Sequence, residues 1–324
     1  MAALAAQNVA PAHNLSKSAR AEAAGIINDT VTDSTSTIIP RGDVIASLNF
    51  FEPPADGSVP FNYVKTPPEG QPQHNFINVT KSVTIHDIRG HEDEYTLDKD
   101  AFKVVQGVPD SAEKDFTSAE SIEKNYYPEL EKLLLDNVPG SHRVVFFDYT
   151  IRRAKQENSQ GPVLRAHIDQ TAKAARQRVE RHLGDEAEKL LQGRYRIINV
   201  WRPLNGPVAS FPLAFASSSS IESEDLIAIE HRYPDRTGET AAVRYNADQK
   251  WHYLSGMRND ERLVLECFDS EALKEGSESN GVHGGRVPHS AFQDPRSPVG
   301  APGRESIEVR TLVFGPLTII DGQL

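Results

Sequence analysis

Cysteine is almost missing from this chain of 324 residues: Cys267 stands alone, so no internal disulfide can form and a four-cysteine zinc site is excluded. Such low cysteine usage fits a reducing compartment, and a cytoplasmic location is expected. Long apolar runs are missing too. No stretch of about 18 apolar residues occurs, so no membrane span is expected. Residues 1–12 are alanine-rich but lack a basic start and a long apolar core, which argues against a secretory signal. Basic charge is in deficit, with 35 Lys and Arg against 46 Asp and Glu and a net charge of -11. That balance argues against nucleic acid or an anionic membrane as partner and leaves a small molecule. A homodimer is compatible with the sequence. No internal repeat occurs, and no G-x-G-x-x-G follows a strand, so a dinucleotide fold is unsupported.

Periodicity supplies the architecture. Residues 1–40, rich in Ala, Ser, Thr and Asn, predict a flexible arm with a short helix over 17–27. Residues 41–324 predict one domain. Strands are expected over 43–51, 76–87, 143–151 and 195–202, with a Pro- and Gly-rich loop over 53–73. Ile122, Tyr126, Leu130, Leu133 and Leu134 recur every three or four residues and predict a helix over 118–136. A second, uninterrupted helix is expected over 170–191, ended by Gly193. Thr96 or Asp98 could cap a helical turn. Segments 226–233, 240–245 and 251–254 predict a β meander, 262–268 a buried strand, 274–285 a surface loop, and 305–320 the last ordered block. Many strands at short intervals favour a mainly β fold with flanking helices, a sandwich or jelly-roll barrel.

The chemistry centres on residues 163–171, VLRAHIDQT. In an extended strand His167 and Asp169 project from one face while Ile168 turns to the other. An imidazole and a carboxylate so placed are two of the three ligands of a facial triad that holds Fe(II) with open positions. H-x-D tripeptides also arise by chance, so a second histidine is required. Four lie downstream: His231, His252, His283 and His289. Each alone reads as a surface or hydrogen-bonded histidine. His283 sits in a glycine-rich stretch, whereas Val287-Pro288-His289 enters a strand, and rigid positioning favours His289. His182, on the predicted helix, reads as surface or packing.

Beyond His289 the chain reads Arg304-Glu305-Ser306-Ile307-Glu308-Val309-Arg310. As a strand it places Arg304, Ser306, Glu308 and Arg310 on one face. Two guanidiniums and a hydroxyl there suit the distal carboxylate of 2-oxoglutarate. A solvated edge strand is the plain alternative. Asn199, Trp201, Arg202 and Arg152 are candidates for substrate contact. Asn199 and Trp201 share a strand face and Arg202 points the other way, so the three cannot all face inward unless the strand bends at Pro203. Tyr149 is a weaker candidate. Cys267, with no base beside it, reads as a buried small hydrophobe.

The block 43–314 resembles the fungal hydroxylase/desaturase family, which includes an aspergillic-acid cluster enzyme and gibberellin-desaturase-like proteins. The resembling stretches are Asp87-Ile88-Arg89-Gly90, Arg165 to Gln170, Asn199-Val200-Trp201-Arg202-Pro203, Pro288-His289-Ser290-Ala291-Phe292 and its continuation to Arg310. The resemblance implies a double-stranded β-helix (cupin-like) core and a non-haem Fe(II)/2-oxoglutarate-dependent dioxygenase. It also implies O2 as second co-substrate and His289 rather than His283 as third ligand. By that resemblance the reaction is hydroxylation, desaturation or oxidative ring closure of a small secondary metabolite such as an amino acid derivative. Two departures bear on substrate contacts. Pro212-Leu213-Ala214 runs into Phe215-Ala216 and a serine run where the family carries an acidic residue, and Gln249 stands where a histidine is common. The competing expectations are a non-catalytic cupin-like binding protein and a zinc hydrolase, which leaves Arg304 and Ser306 unexplained.

Overall fold

The computed structural model describes residues 39–154, 161–274 and 281–316. The predicted helix over 17–27 and the end of the last predicted block lie outside them. The strands are β1 (Val44–Glu52), β2 (Phe61–Tyr63), β3 (Ile77–Asp87), β4 (Phe102–Val105), β5 (Arg143–Arg152), β6 (His167–Ile168) and β7 (Tyr195–Pro203). They continue as β8 (Leu213–Ala216), β9 (Leu226–Arg232), β10 (Thr237–Val243), β11 (Trp251–Tyr253), β12 (Arg262–Asp269), β13 (His289–Ala291) and β14 (Ser306–Phe314). Two sheets result, a nine-stranded one in the order β1-β3-β11-β8-β13-β6-β10-β9-β2 and a five-stranded one in the order β4-β12-β7-β14-β5. This is the expected jelly roll, in which strands distant in sequence become neighbours.

The five-stranded sheet explains why its strands read as nearly continuous apolar runs. Every residue of β7 is buried, because both faces are covered. One face, with Ile198, Val200, Ile307 and Val309, packs against Ile122, Tyr126, Leu130 and Leu134. The other, with Ile197, Trp201, Leu265 and Leu312, packs against Ile168, Phe215 and Leu254. Cys267 lies in this second layer, and burial pushes its thiol well up, so it stays protonated.

Three expectations need correction. The helix predicted over 118–136 divides into a turn at Ala119–Ser121, a π turn at Ile122–Tyr126 and a helix over Tyr127–Asn137. Pro128 has no N–H to close an α turn on Lys124, so the ladder widens there. The helix predicted over 170–191 breaks after α1 (Ala172–Leu183), because Gly184 takes a left-handed φ of 51°, and a 3-10 turn leads to α2 (Ala187–Leu190). The meander is only a hairpin: β9 pairs with β10, while β11 runs parallel to β3 and antiparallel to β8. In addition, part of the predicted surface loop docks, since the amides of His283 and Gly284 donate to the Asp98 carbonyl at 2.8 and 3.0 Å.

Candidate metal centre

His167 and His289 come from strands far apart in the chain, yet β6 and β13 pair with these two residues directly opposite each other. Their ring centroids stand 4.5 Å apart. Asp169 follows two residues after His167, and Thr171 then caps α1, its hydroxyl accepting from the Ala174 amide at 3.2 Å. The motif thus ends a strand, aims a carboxylate and starts a helix within five residues. One ligand atom from each of His167, Asp169 and His289 lies within 4.8 Å of the others.

The imidazoles are oriented alike. His167 Nδ1 lies 2.8 Å from the carbonyl of Arg165, and His289 Nδ1 lies 3.1 Å from that of Val287. Each carbonyl is two residues upstream and accepts the Nδ1 proton, which leaves Nε2 as the free donor pair on both rings. Asp169 is set from the opposite sheet. Arg310 Nε donates to its Oδ2 at 2.7 Å and Asn199 Nδ2 donates to the same oxygen at 2.8 Å. Its Oδ1 faces His167 Nε2 at 3.4 Å. Burial alone would raise the Asp169 carboxyl, but Arg310 and the two imidazoles hold it well below the usual carboxylate range. Burial, and then the neighbouring His167, keeps His289 neutral to lower pH than a free histidine. Two imidazoles with Nε2 free and one carboxylate are the donor set Fe(II) takes in a facial triad, so the residues fit the metal.

The second sheet carries the rest of the layer. In the register of β14, Ser306, Glu308 and Arg310 lie opposite Pro203, Trp201 and Asn199 on β7 and opposite Arg152, Thr150 and Asp148 on β5. Arg304, just before β14, is buried. It donates to the carbonyl of Phe211 at 2.7 Å and lies 5.3 Å over the Trp201 ring. Phe211 holds an unusual φ of 47°, which aims that carbonyl. No carboxylate ion-pairs with Arg304 among the described residues. Burial, then Arg152 nearby, pushes the Arg304 guanidinium down to about 9. A buried cation facing a second cation lacks an anion, and a carboxylate beside Ser306 would supply one.

Comparison with known proteins decides the lineage. A family model described as "Oxidoreductase/YMDC permease-like domain" matches residues 48–314. The hydroxylase/desaturase poxK of Penicillium oxalicum is 41% identical over 305 residues, covering 85% of this chain and 92% of poxK. The Fe(II)/2-oxoglutarate-dependent dioxygenase nvfI of Aspergillus novofumigatus is 34% identical over 278 residues, covering 83% and 96%. A solved structure of the iron and alpha-ketoglutarate-dependent endoperoxidase NvfI superposes with a TM-score of 0.75 at 31% identity, over 85% of this chain and 99% of that one. The chain belongs to the fungal hydroxylase/desaturase family of Fe(II)/2-oxoglutarate-dependent oxygenases. Among its described residues no helix is long and apolar enough to cross a membrane.

Within this hydroxylase/desaturase chain the sequence candidates separate. His167, Asp169 and His289 come together, with Arg304, Ser306, Asn199, Trp201, Arg152 and Arg310 on the facing layer. Arg310, expected at the co-substrate, is instead engaged by Asp169 at 2.7 Å, Asp148 at 3.3 Å and Glu308 at 3.5 Å. Although burial opposes it, those three acids raise its pKa further, so its charge is spent on the carboxylate of the His-Asp-His cluster and its two acidic neighbours. Asn199, expected at the substrate, bridges Asp169 and Glu308. Arg202 leaves the site altogether. It lies opposite Ile307 on the other face, 5.4 Å from the Phe116 ring and 5.8 Å from the Tyr126 ring, because strand alternation sends it there. His252 packs against Tyr95 and Phe102, and His283 is exposed, so neither joins the metal group. Gln249 donates to Asp225 and to the Arg244 carbonyl, holding a turn. Sequence reading missed Asp148, although its alternation with Thr150 and Arg152 along β5 could have found it. Phe211 carried no signal.

Proposed function

We propose that His167 Nε2, Asp169 and His289 Nε2 hold Fe(II), and that Arg304 with Ser306 grips the distal carboxylate of 2-oxoglutarate. Arg152 adds positive charge behind that carboxylate. The reaction class is C–H activation of a small molecule of fungal secondary metabolism, ending in hydroxylation, desaturation or oxidative ring closure. The relatives named hydroxylase/desaturase and endoperoxidase support that range. When bound, the metal would activate O2, the oxidant; two of the four electrons O2 takes would come from 2-oxoglutarate as it becomes succinate and CO2, and two from the substrate. The protein's own part is orientation. The Arg165 and Val287 carbonyls set the rings, Arg310 and Asn199 set the carboxylate, and the apolar layer of Trp201, Phe215 and Leu254 keeps water out.

The observation that carries this reading is the convergence of three ligand atoms with both imidazoles already oriented for metal. Succinate release tests it, in Fe(II), ascorbate, 2-oxoglutarate and air across a panel of small metabolites. Succinate should rise with at least one panel member and vanish in His167→Ala. A His167→Ala protein that binds Fe(II) and turns over like the wild type sinks the reading.

A further inference from the structure

Beside Asp169, between α1 and the β9–β10 hairpin, lies a cavity of about 270 Å³, close to the lower end of the size of small-molecule pockets. Three arginines stand on it: Arg178 and Arg181, one turn apart on α1, and Arg236 from the hairpin turn. Aromatic rings brace two of them, Phe147 at 5.0 Å from Arg178 and Tyr233 at 3.9 Å from Arg236. A guanidinium stacked in this way keeps its in-plane N–H groups for a ligand. Among the described residues neither Arg178 nor Arg181 has an ion pair or hydrogen bond, and Arg236 meets only the exposed Asp235 at 3.4 Å.

The acids on the wall are already engaged. Glu239 accepts from the Thr171 hydroxyl and lies 3.4 Å from Lys173 Nζ, and Asp169 accepts from Arg310 and Asn199. His231 adds a neutral polar group. Its Nε2 meets the Thr240 hydroxyl at 2.9 Å, while its buried Nδ1 has no partner among the described residues. With three arginines against two engaged acids, the wall is cationic, although the molecule as a whole is acidic.

We propose that this cavity is the substrate site and that it selects a small organic acid, whose carboxylate is held by Arg178, Arg181 and Arg236. This rests on the metal centre proposed above, because Asp169, one of its three proposed ligands, belongs to the cavity wall. The cations expected from sequence to meet a substrate carboxylate were Arg202 and Arg152. Arg202 points away, and Arg152 stands behind Arg304, so the α1 arginines take that role.

The test uses the full chain loaded with Fe(II) and saturating 2-oxoglutarate under nitrogen. A panel of small carboxylic acids, each matched with its methyl ester, is titrated by calorimetry. The visible charge-transfer band of the iron chelate is followed in the same samples. At least one acid should bind about ten-fold or more tightly than its ester, the scale of a charge-assisted hydrogen bond. Arg178→Gln and Arg236→Gln should each reduce that preference while leaving the ester affinity and the chelate band unchanged. Equal binding of acids and esters, no binding by any acid, or an undiminished preference in both variants overturns the proposal. So does a loss of the band in the Gln variants, which would make the arginines part of the 2-oxoglutarate site. A wild-type protein that forms no band at all fails the metal-centre reading instead, and calorimetry still reports the acid preference separately.

Discussion

At the scale of single residues, the groups that touch the proposed ligands carry part of the metal affinity. Asn199 donates to Asp169 from the opposite sheet, and removing such a support typically weakens metal binding by about 10- to 100-fold. Asn199→Ala should therefore need correspondingly more Fe(II) for half-maximal succinate release, with the fold intact by circular dichroism. Arg304 should behave differently. Loss of a hydrogen bond to a charged group is worth about 1.5–3 kcal/mol, so Arg304→Ala should raise the KM for 2-oxoglutarate by roughly 10- to 150-fold. Fe(II) affinity measured without 2-oxoglutarate should hardly move. A variant that loses both together would show that Arg304 supports the metal ligands rather than the co-substrate. The His167-Asp169-His289 cluster and the pairing of Arg304 with Ser306 were legible as candidates because each is a short motif with its own chemistry. The acids around Arg310 were not legible, because β14 alone shows a cation on one face and only one of the three, Glu308, while Asp148 comes from β5 and Asp169 from the turn after β6.

At the scale of elements, alternation was the most legible signal. It put Asn199 and Trp201 on one face and Arg202 on the other, and the register with β14 agrees. Pairing between distant strands was not legible, because β6 has only two residues and finds its partners through closure of the whole barrel. The helix limits were missed for local reasons. Pro128 and Gly184 each break an apolar period that otherwise continues. The helix Tyr127–Asn137 nonetheless covers the outer face of the five-stranded sheet. Leu134 is fully buried there among Ile198, Val200 and Val313. Leu134→Ala should cost about 2–5 kcal/mol through lost burial and the cavity left behind, read as a lower urea midpoint. Fe(II) affinity in the folded fraction should stay unchanged, since Leu134 lies on the face of the sheet away from the metal centre.

At the scale of the whole molecule, acid should loosen the fold before it titrates most carboxylates. His252 is buried against Tyr95 and Phe102, and burial, then His86, pushes its pKa down to about 4. An unfolded chain takes up that proton near pH 6.5, so between pH 6.5 and 4 unfolding binds a proton that the native state refuses. Stability rises with pH across this window and is lost as pH falls through it, by on the order of 3 kcal/mol at its lower end. Melting temperatures measured from pH 7.5 to 5 should show the decline, and His252→Gln should make it shallower, with His231, which burial also lowers to about 4, keeping a share. An unchanged slope in that variant would assign the acid sensitivity to other groups.

The backbone carbonyls that lock His167 and His289 have one more consequence. Because both rings are set by carbonyls of their own strands, a metal at the proposed site would meet imidazoles already aimed at it. Two histidines and one carboxylate, as proposed here, do little by themselves to reject the wrong ion. Fe(II) stands low in the affinity order of first-row divalent metals, below cobalt, nickel and copper. At the proposed site, then, ligand chemistry alone would not favour Fe(II) over those ions, and the supply of metal would weigh in the outcome. An excess of nickel or copper would leave a folded, stable and inactive enzyme.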